Sequence, residues 1–340
     1  MSNAEVSWGI VGPGEIASVF ARGLRTAGAG RVERVYGRSA ERRDAFCAAH
    51  GGRPASALDE LCSDPAIDLV YVASPHPAHA EAARAALEAG KGVLCEKPLT
   101  TDRSESAALL ELAEARDLPL LEAYMYRAHP QLERLLERVA AGEIGRPLRT
   151  ESCFTFFAPE DPSHRLLARE LGGGGILDVG GYPCSFALAV ARACGEESTP
   201  ILSDVRGHHG PTGVDVEASC VLHFANGLEG HARVSFEQDL TMRASVVGES
   251  GTLSLEHPFM PEGRRDGRRG VVVLEREGEL QREEVDADAD CFGLEARELA
   301  RLWSTGERHA RWPMVDRTQT LQLAELLDSW RASIPAEVVS

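Results

Sequence analysis

Three side chains and one glycine-rich turn are the parts of this 340-residue sequence with chemistry to offer. Lys97 stands in Glu96-Lys97-Pro98, just after an apolar run, Gly92 to Cys95, that reads as a strand. Ligands of open α/β sheets bind outside the carboxyl edge of the strands. An ammonium there can give or take a proton at a reacting oxygen, and Glu96 can orient it or tune its pKa. Asp178 and Tyr182 lie four residues apart, after the run Gly172-Gly173-Gly174-Gly175. On a helix they share a face, where a carboxylate and a phenol can hold and protonate a substrate oxygen. The glycines let a loop approach a ligand closely. Each residue also has a plainer reading: a surface lysine, a helix N-cap and a half-buried core aromatic.

The turn is Gly9-Ile10-Val11-Gly12-Pro13-Gly14-Glu15-Ile16-Ala17, which carries G-x-G-x-x-A between a strand and a helix. Gly12 allows a tight turn, Gly14 lets the backbone approach a pyrophosphate, and Ala17 lets helix and strand pack closely. The helix start adds unpaired N–H groups and partial positive charge. This pattern predicts nucleotide binding, the alternative being a tight turn without a ligand. An acidic residue at the end of the second strand would accept from a ribose 2′-hydroxyl. Here Tyr36-Gly37-Arg38-Ser39, then Arg42-Arg43, offers no carboxylate. Arg38 and Ser39 suit a 2′-phosphate, with Arg42 or Arg43 assisting, unless these arginines are merely solvated. NADP(H) is therefore favoured, with NAD(H) as the other option.

The elements that must position these groups alternate through the first third. Strands are expected at Val6–Val11, Val32–Tyr36, Leu69–Ala73, Gly92–Cys95 and Pro119–Glu122, with helices between them. That rhythm predicts an α/β chain opening on an N-terminal Rossmann domain, a doubly wound parallel sheet, over residues 1–123. Residues 124–340 read as an α+β domain. A helix at Ile176–Ala193 is followed by a run of strands that implies a mostly antiparallel sheet with one face able to stay open. Two helices close the chain, and they are expected to pack back on the first domain.

Charge and composition narrow the classes. The net charge of −17 argues against nucleic acid and anionic membranes as partners. No window approaches the roughly 20 apolar residues of a membrane span, and Met1–Val6 lacks a secretory signal's basic and apolar regions, so a cytoplasmic protein is expected. The eight cysteines form no C-x-x-C pair and read as reduced thiols. His208, His209, His223 and His231 lack ligand spacing, so no metal is expected. The basic run Arg264–Arg269 reads as a solvated loop.

Taken in order, several segments resemble the Gfo/Idh/MocA family, the glucose–fructose oxidoreductase and inositol dehydrogenase group. They are Gly9–Ala17, Ser74-Pro75-His76-Pro77-Ala78-His79, Glu96–Thr101, Glu122-Ala123-Tyr124-Met125-Tyr126-Arg127-Ala128-His129-Pro130, Gly142–Gly145 and Gly173–Tyr182. The resemblance covers almost the whole chain and is strongest to the dihydrodiol dehydrogenase and NADP-dependent D-xylose 1-dehydrogenase branch. It implies a second domain with a large open sheet, through which subunits form homodimers or homotetramers. It implies hydride transfer to or from a sugar, polyol or dihydrodiol. Lys97 would contact the substrate oxygen and nicotinamide ribose, Asp178 would bind substrate or position the proton donor, and Tyr182 would be the acid/base. Gly9, Gly12, Pro13, Gly14, Glu15, Ile16, Arg38, Ser39 and Arg43 would hold the cofactor, joined by Ser74, Pro75, His79, Glu96 and Arg127. Tyr126 and Arg165 would meet the substrate. Two other functions stay open. One is reduction of a keto sugar, free or nucleotide-linked, with Arg165 and Arg169 for a diphosphate. The other is a regulator that binds dinucleotide without turnover.

Overall fold

Unbroken apolar strands demand cover on both faces, and the first unit supplies it. In the computed structural model, which describes residues 5–334, β1 (Ser7–Val11) is buried at every position. It leads into α1 (Glu15–Thr26), whose Ala17, Val19, Phe20, Ala21 and Leu24 are buried. Then come β2 (Arg31–Tyr36), α2 (Ala40–His50), β3 (Arg53–Ala55), α3 (Leu58–Cys62) and β4 (Leu69–Val72). After these follow α4 (His79–Glu88), β5 (Gly92–Glu96), α5 (Arg103–Ala115) and β6 (Leu120–Ala123). The six strands are parallel in the order β3-β2-β1-β4-β5-β6, the doubly wound order with its switch point between β1 and β4. Phe20 stacks on Tyr71 with ring centroids 3.8 Å apart, and Trp8 meets Phe20 edge-on at 5.2 Å.

The second unit begins with α6 (Pro130–Ala140) and β7 (Pro147–Thr155). A π-helical turn, Ile176–Gly180, runs straight into α7 (Gly181–Ala193). Seven strands follow: β8 (Ile201–His209), β9 (Asp215–His223), β10 (Glu229–Ser235), β11 (Arg243–Gly248), β12 (Thr252–Leu255), β13 (Arg269–Arg276) and β14 (Glu279–Asp286). With β7 they make an eight-stranded sheet, β14-β13-β12-β11-β7-β10-β9-β8. Its pairings are antiparallel except β7 with β10. The stretch Arg169–Ala193 is by length and composition apolar enough to cross a membrane, which the sequence reading did not register; its most apolar window is wholly buried inside the protein, as the core helix of a soluble protein is.

The closing helices are α8 (Cys291–Thr305) and α9 (Arg317–Ser333). One compact unit runs to Ala128 and takes in Asp288–Thr320; the other comprises His129–Ala287 and the chain from Leu321 on. Helix α8 thus returns to the nucleotide-binding unit, where glycines let it cross α1 closely. A Cβ on Gly293 would lie 2.7 Å from the Gly23 carbonyl oxygen.

Two strands escape the sequence pattern. β3 has three residues and shows no periodicity. β14, ELQREEVD, reads as a solvated acidic run because it is an edge strand, held by backbone pairing to β13 with charged side chains outward.

The π-helical turn that leads into α7 starts at a buried acid. Asp215, 6% exposed, accepts the Ile176 amide N–H at 2.6 Å, at a helix start that no side chain of its own segment caps. Burial pushes the Asp215 carboxyl up, against the pull of that amide. Asp215→Ala is expected to lower unfolding free energy by about 1–3 kcal/mol, the cost of an orphaned buried amide, measured by urea denaturation. Asp215→Asn should lose less.

Candidate functional site

The nucleotide turn is shaped by contact. Gly12 has φ +90°, and a Cβ there would lie 2.6 Å from the Ser74 amide nitrogen, so only glycine fits where β1 and β4 diverge. A Cβ on Gly14 would meet nothing within 4 Å, so this position faces open space. Gly14 starts α1 without a side-chain cap. Gly37 faces Pro13: a Cβ would sit 2.5 Å from its Cδ. Gly9 differs in kind, since a Cβ there would strike Leu61 at 2.7 Å, and its glycine serves packing.

Beyond β2, Ser39 caps α2 by accepting the Arg42 amide at 3.2 Å. Arg38 is exposed. Arg43 donates from a terminal nitrogen to the Gly37 carbonyl at 2.9 Å, while its Nε is buried without a partner. At the end of β4, the Ser74 hydroxyl is likewise buried without a partner. An uncapped helix start, open space over Gly14 and two orphaned polar atoms fit a bound dinucleotide.

Lys97 follows β5, and its bond to Pro98 is cis. Glu96 accepts from the Tyr71 hydroxyl. His79, fully buried, lies between two carbonyl oxygens, Pro98 at 2.9 Å and Ser74 at 2.8 Å. Burial lowers its pKa while those carbonyls pull it up. Arg127 is fully buried and donates to the Pro313 carbonyl at 2.6 Å and to Gln319 at 2.9 Å, with Trp312 5.7 Å from the guanidinium carbon. Tyr126 is also fully buried.

In the second unit, Asp178 lies inside the π-helical turn and Tyr182 in the first turn of α7. Asp178 is therefore not the N-cap that was its plainer reading; Gly175 holds that place. Such π turns recur at functional sites because they push a side chain out of the regular helical register. Asp178 is 5% exposed and accepts from Arg165 at 2.9 Å, whose own side chain is half exposed. The Tyr182 ring packs 4.9 Å from Phe154 and 5.1 Å from Phe259, which stack on each other. Those two phenylalanines, far apart in sequence, gave no signal. Glu122 and Asp215 were missed because a carboxylate inside an apolar strand shows no partner until the chain folds.

Against known proteins, residues 6–124 match the Gfo/Idh/MocA oxidoreductase family, NAD-binding Rossmann fold, and 132–254 match the Gfo/Idh/MocA C-terminal domain. The chain belongs to the Gfo/Idh/MocA family. It is 36% identical to the NADP(+) D-xylose 1-dehydrogenase of Hypocrea jecorina, across 79% of this chain and 72% of that one. It is 30% identical to the trans-1,2-dihydrobenzene-1,2-diol dehydrogenase of Mus musculus, across 96% of each. The solved 3-ketoreductase of Actinomadura kijaniata, in complex with NADP and TDP-benzene, matches with a TM-score of 0.87 at 27% identity, over 97% of this chain and 98% of that one. The same ketoreductase is known with a lysine replaced by alanine or glutamate and with a tyrosine replaced by phenylalanine. The family resemblance and the predicted fold class are thereby established for this chain.

One member of the first unit titrates near neutrality. Glu122 is buried, and burial pushes its carboxyl up to about 7, while the Leu99 amide, the Thr320 hydroxyl and the Lys97 ammonium pull it down. A carboxyl raised above its unfolded value binds its proton more tightly when folded. The stability it contributes is present below about pH 4.5 and is lost as pH rises through about 7. Denaturation from pH 5 to 8 should show a fall of up to about 3 kcal/mol that Glu122→Gln flattens. An unchanged slope in the variant would contradict the assignment.

Proposed function

We propose that this protein is an NADP(H)-dependent oxidoreductase acting on the CH–OH or C=O group of a sugar, polyol or dihydrodiol. The observation that carries the reading is the end of β2, where Arg38, Ser39 and Arg43 stand in place of a carboxylate, beside orphaned Arg43 Nε and Ser74 Oγ. Nucleotide binding is assigned to the first unit, with Gly12, Pro13, Gly14, Glu15 and Ile16 at the pyrophosphate and Arg38 at the 2′-phosphate. Ser74, Pro75, His79, Glu96 and Arg127 build the remaining wall. Substrate binding is assigned to the second unit, with Asp178, Tyr182 and Arg165, and to Tyr126.

Bound NADP supplies the hydride acceptor. The protein's part is to place the alcohol and take its proton. Tyr182 is the proton acceptor at the substrate hydroxyl. Its ring is held by Phe154 and Phe259, which also exclude water. The Lys97 ammonium is assigned to stabilise the negative oxygen as it forms. Asp178, gripped by Arg165, fixes the neighbouring hydroxyl. In the reverse direction the same groups deliver the proton to a carbonyl oxygen.

A nucleotide-linked keto sugar would require basic groups for its diphosphate, and of the two candidates the guanidinium of Arg165 is engaged by Asp178, which leaves the exposed Arg169. A small sugar or diol fits better. A homodimer through the open face of the eight-stranded sheet accords with its depression of about 700 Å³, lined in part by Cys153, Cys220, Val221 and Leu240. A cytoplasmic location accords with eight unpaired cysteines.

Calorimetric titration tests the cofactor reading. Arg38→Ala should weaken NADPH binding about tenfold to a hundredfold and change NADH binding less than twofold. Equal or tighter NADH binding by the parent would overturn the NADP assignment. Assays with NADP⁺ and D-xylose, D-glucose or a trans-dihydrobenzenediol should show turnover that Tyr182→Phe and Lys97→Ala each reduce at least a hundredfold. Retained NADPH binding without turnover of any alcohol by the parent would favour a regulator.

A further inference from the structure

The turn carrying Lys97 has no strand to pair with once β5 ends. The last residue of β5 in register with β6 is Glu96, opposite Ala123. Two buried side chains take up the backbone beyond it. The Leu99 amide N–H donates to Glu122 Oε1 at 2.9 Å, and the Pro98 carbonyl faces His79 Nδ1 at 2.9 Å. The other His79 ring nitrogen faces the Ser74 carbonyl at 2.8 Å, so the turn is tied to the end of β4 as well. Cys95 Sγ lies 3.7 Å from the Leu99 carbonyl oxygen. The two residues that follow Lys97 are thus held through their backbone by side chains from α4 and β6, and neither contact uses the Lys97 side chain.

Glu122 is the costlier of the two holds. It is 6% exposed, at the end of an apolar strand, where leucine would be buried without a desolvation penalty. A carboxyl retained in such a place is explained by what its oxygen grips. We propose that Glu122 is a positioning residue for Lys97: by holding the Leu99 amide it fixes the direction in which the Lys97 ammonium meets the reacting oxygen. The inference rests on the role given to Lys97 above. A misplacement of about 1 Å in a reacting group can cost about a hundredfold in rate, so loss of this hold should register in turnover rather than in binding.

The test is steady-state kinetics on the full chain, with NADP⁺ and whichever of the three alcohols above is oxidised fastest. Glu122→Ala is expected to lower kcat about tenfold to a hundredfold while KM for NADP⁺ changes less than threefold. Glu122→Gln keeps a carbonyl oxygen for the Leu99 amide and should recover most of that loss. Lys97→Ala should fall further, and adding Glu122→Ala to it should cost no more than another twofold, because the second residue acts through the first. If Glu122→Ala does not fold by circular dichroism, Glu122→Asp, which draws the carboxyl back by one methylene, takes its place with the same expected loss. The proposal is overturned by a Glu122→Ala kcat within twofold of the parent, by a Glu122→Gln loss as large as that of alanine, or by losses that multiply in the double variant. Parent-level turnover in Lys97→Ala would instead remove the role of Lys97, and this inference with it.

Discussion

The close approach of Gly12 to the backbone at Ala73 and Ser74 is the constraint from which the nucleotide-binding unit follows. With Cβ room denied at 2.6 Å, β1 and β4 lie side by side as their chains leave the sheet in opposite senses. The first connection turns toward β2, so Arg38 and the start of α2 come to the same edge as the uncapped start of α1. The connections from β4 and β5 deliver Ser74 and Lys97 to that edge in turn. The edge gathers positive and hydrogen-bond-donating groups in a chain whose net charge is −17. In the proposed function an anionic cofactor would be met there by local N–H groups and guanidinium against the general field.

A comparable economy governs the second unit. Four glycines precede the π-helical turn, and one acid from β9, Asp215, satisfies the amide where that turn begins. A Cβ on Gly174 would lie 2.4 Å from Asp215 Oδ1, so the glycine and the acid require each other. The π-helical turn that follows carries Asp178, and the regular helix carries Tyr182 against two stacked phenylalanines. In both units a buried carboxyl grips a backbone amide beside a residue assigned to chemistry: Glu122 next to the Lys97 turn and Asp215 before Asp178.

Much of this was legible in the residues. Apolar runs such as Leu69–Val72 give a parallel sheet its buried strands, and helices lie between those strands as expected. The glycine turn, the absent acid after β2 and the Asp178–Tyr182 spacing are local features, and local features survive in sequence. β3 and β14 did not, since three residues and an outward-facing charged edge carry no period. The long partnerships were also invisible. Glu122 grips Leu99, Arg127 reaches Pro313 and Asp215 reaches Ile176 through contacts that only the folded chain creates. Arg127 in particular shows the limit, because its motif gives no sign that the guanidinium is fully buried and reaches Pro313 and Gln319, nearly two hundred residues on.

The central claim is direct hydride transfer between a nicotinamide and a sugar-like carbon, with the proton handled by side chains. Oxidation of D-xylose deuterated at C1 with NADP⁺, followed by mass spectrometry of the reduced cofactor, tests it most directly. The account predicts that the cofactor gains one deuterium from the sugar and that none is lost to water. Reduced cofactor carrying solvent hydrogen instead, or deuterium released to water, would contradict it.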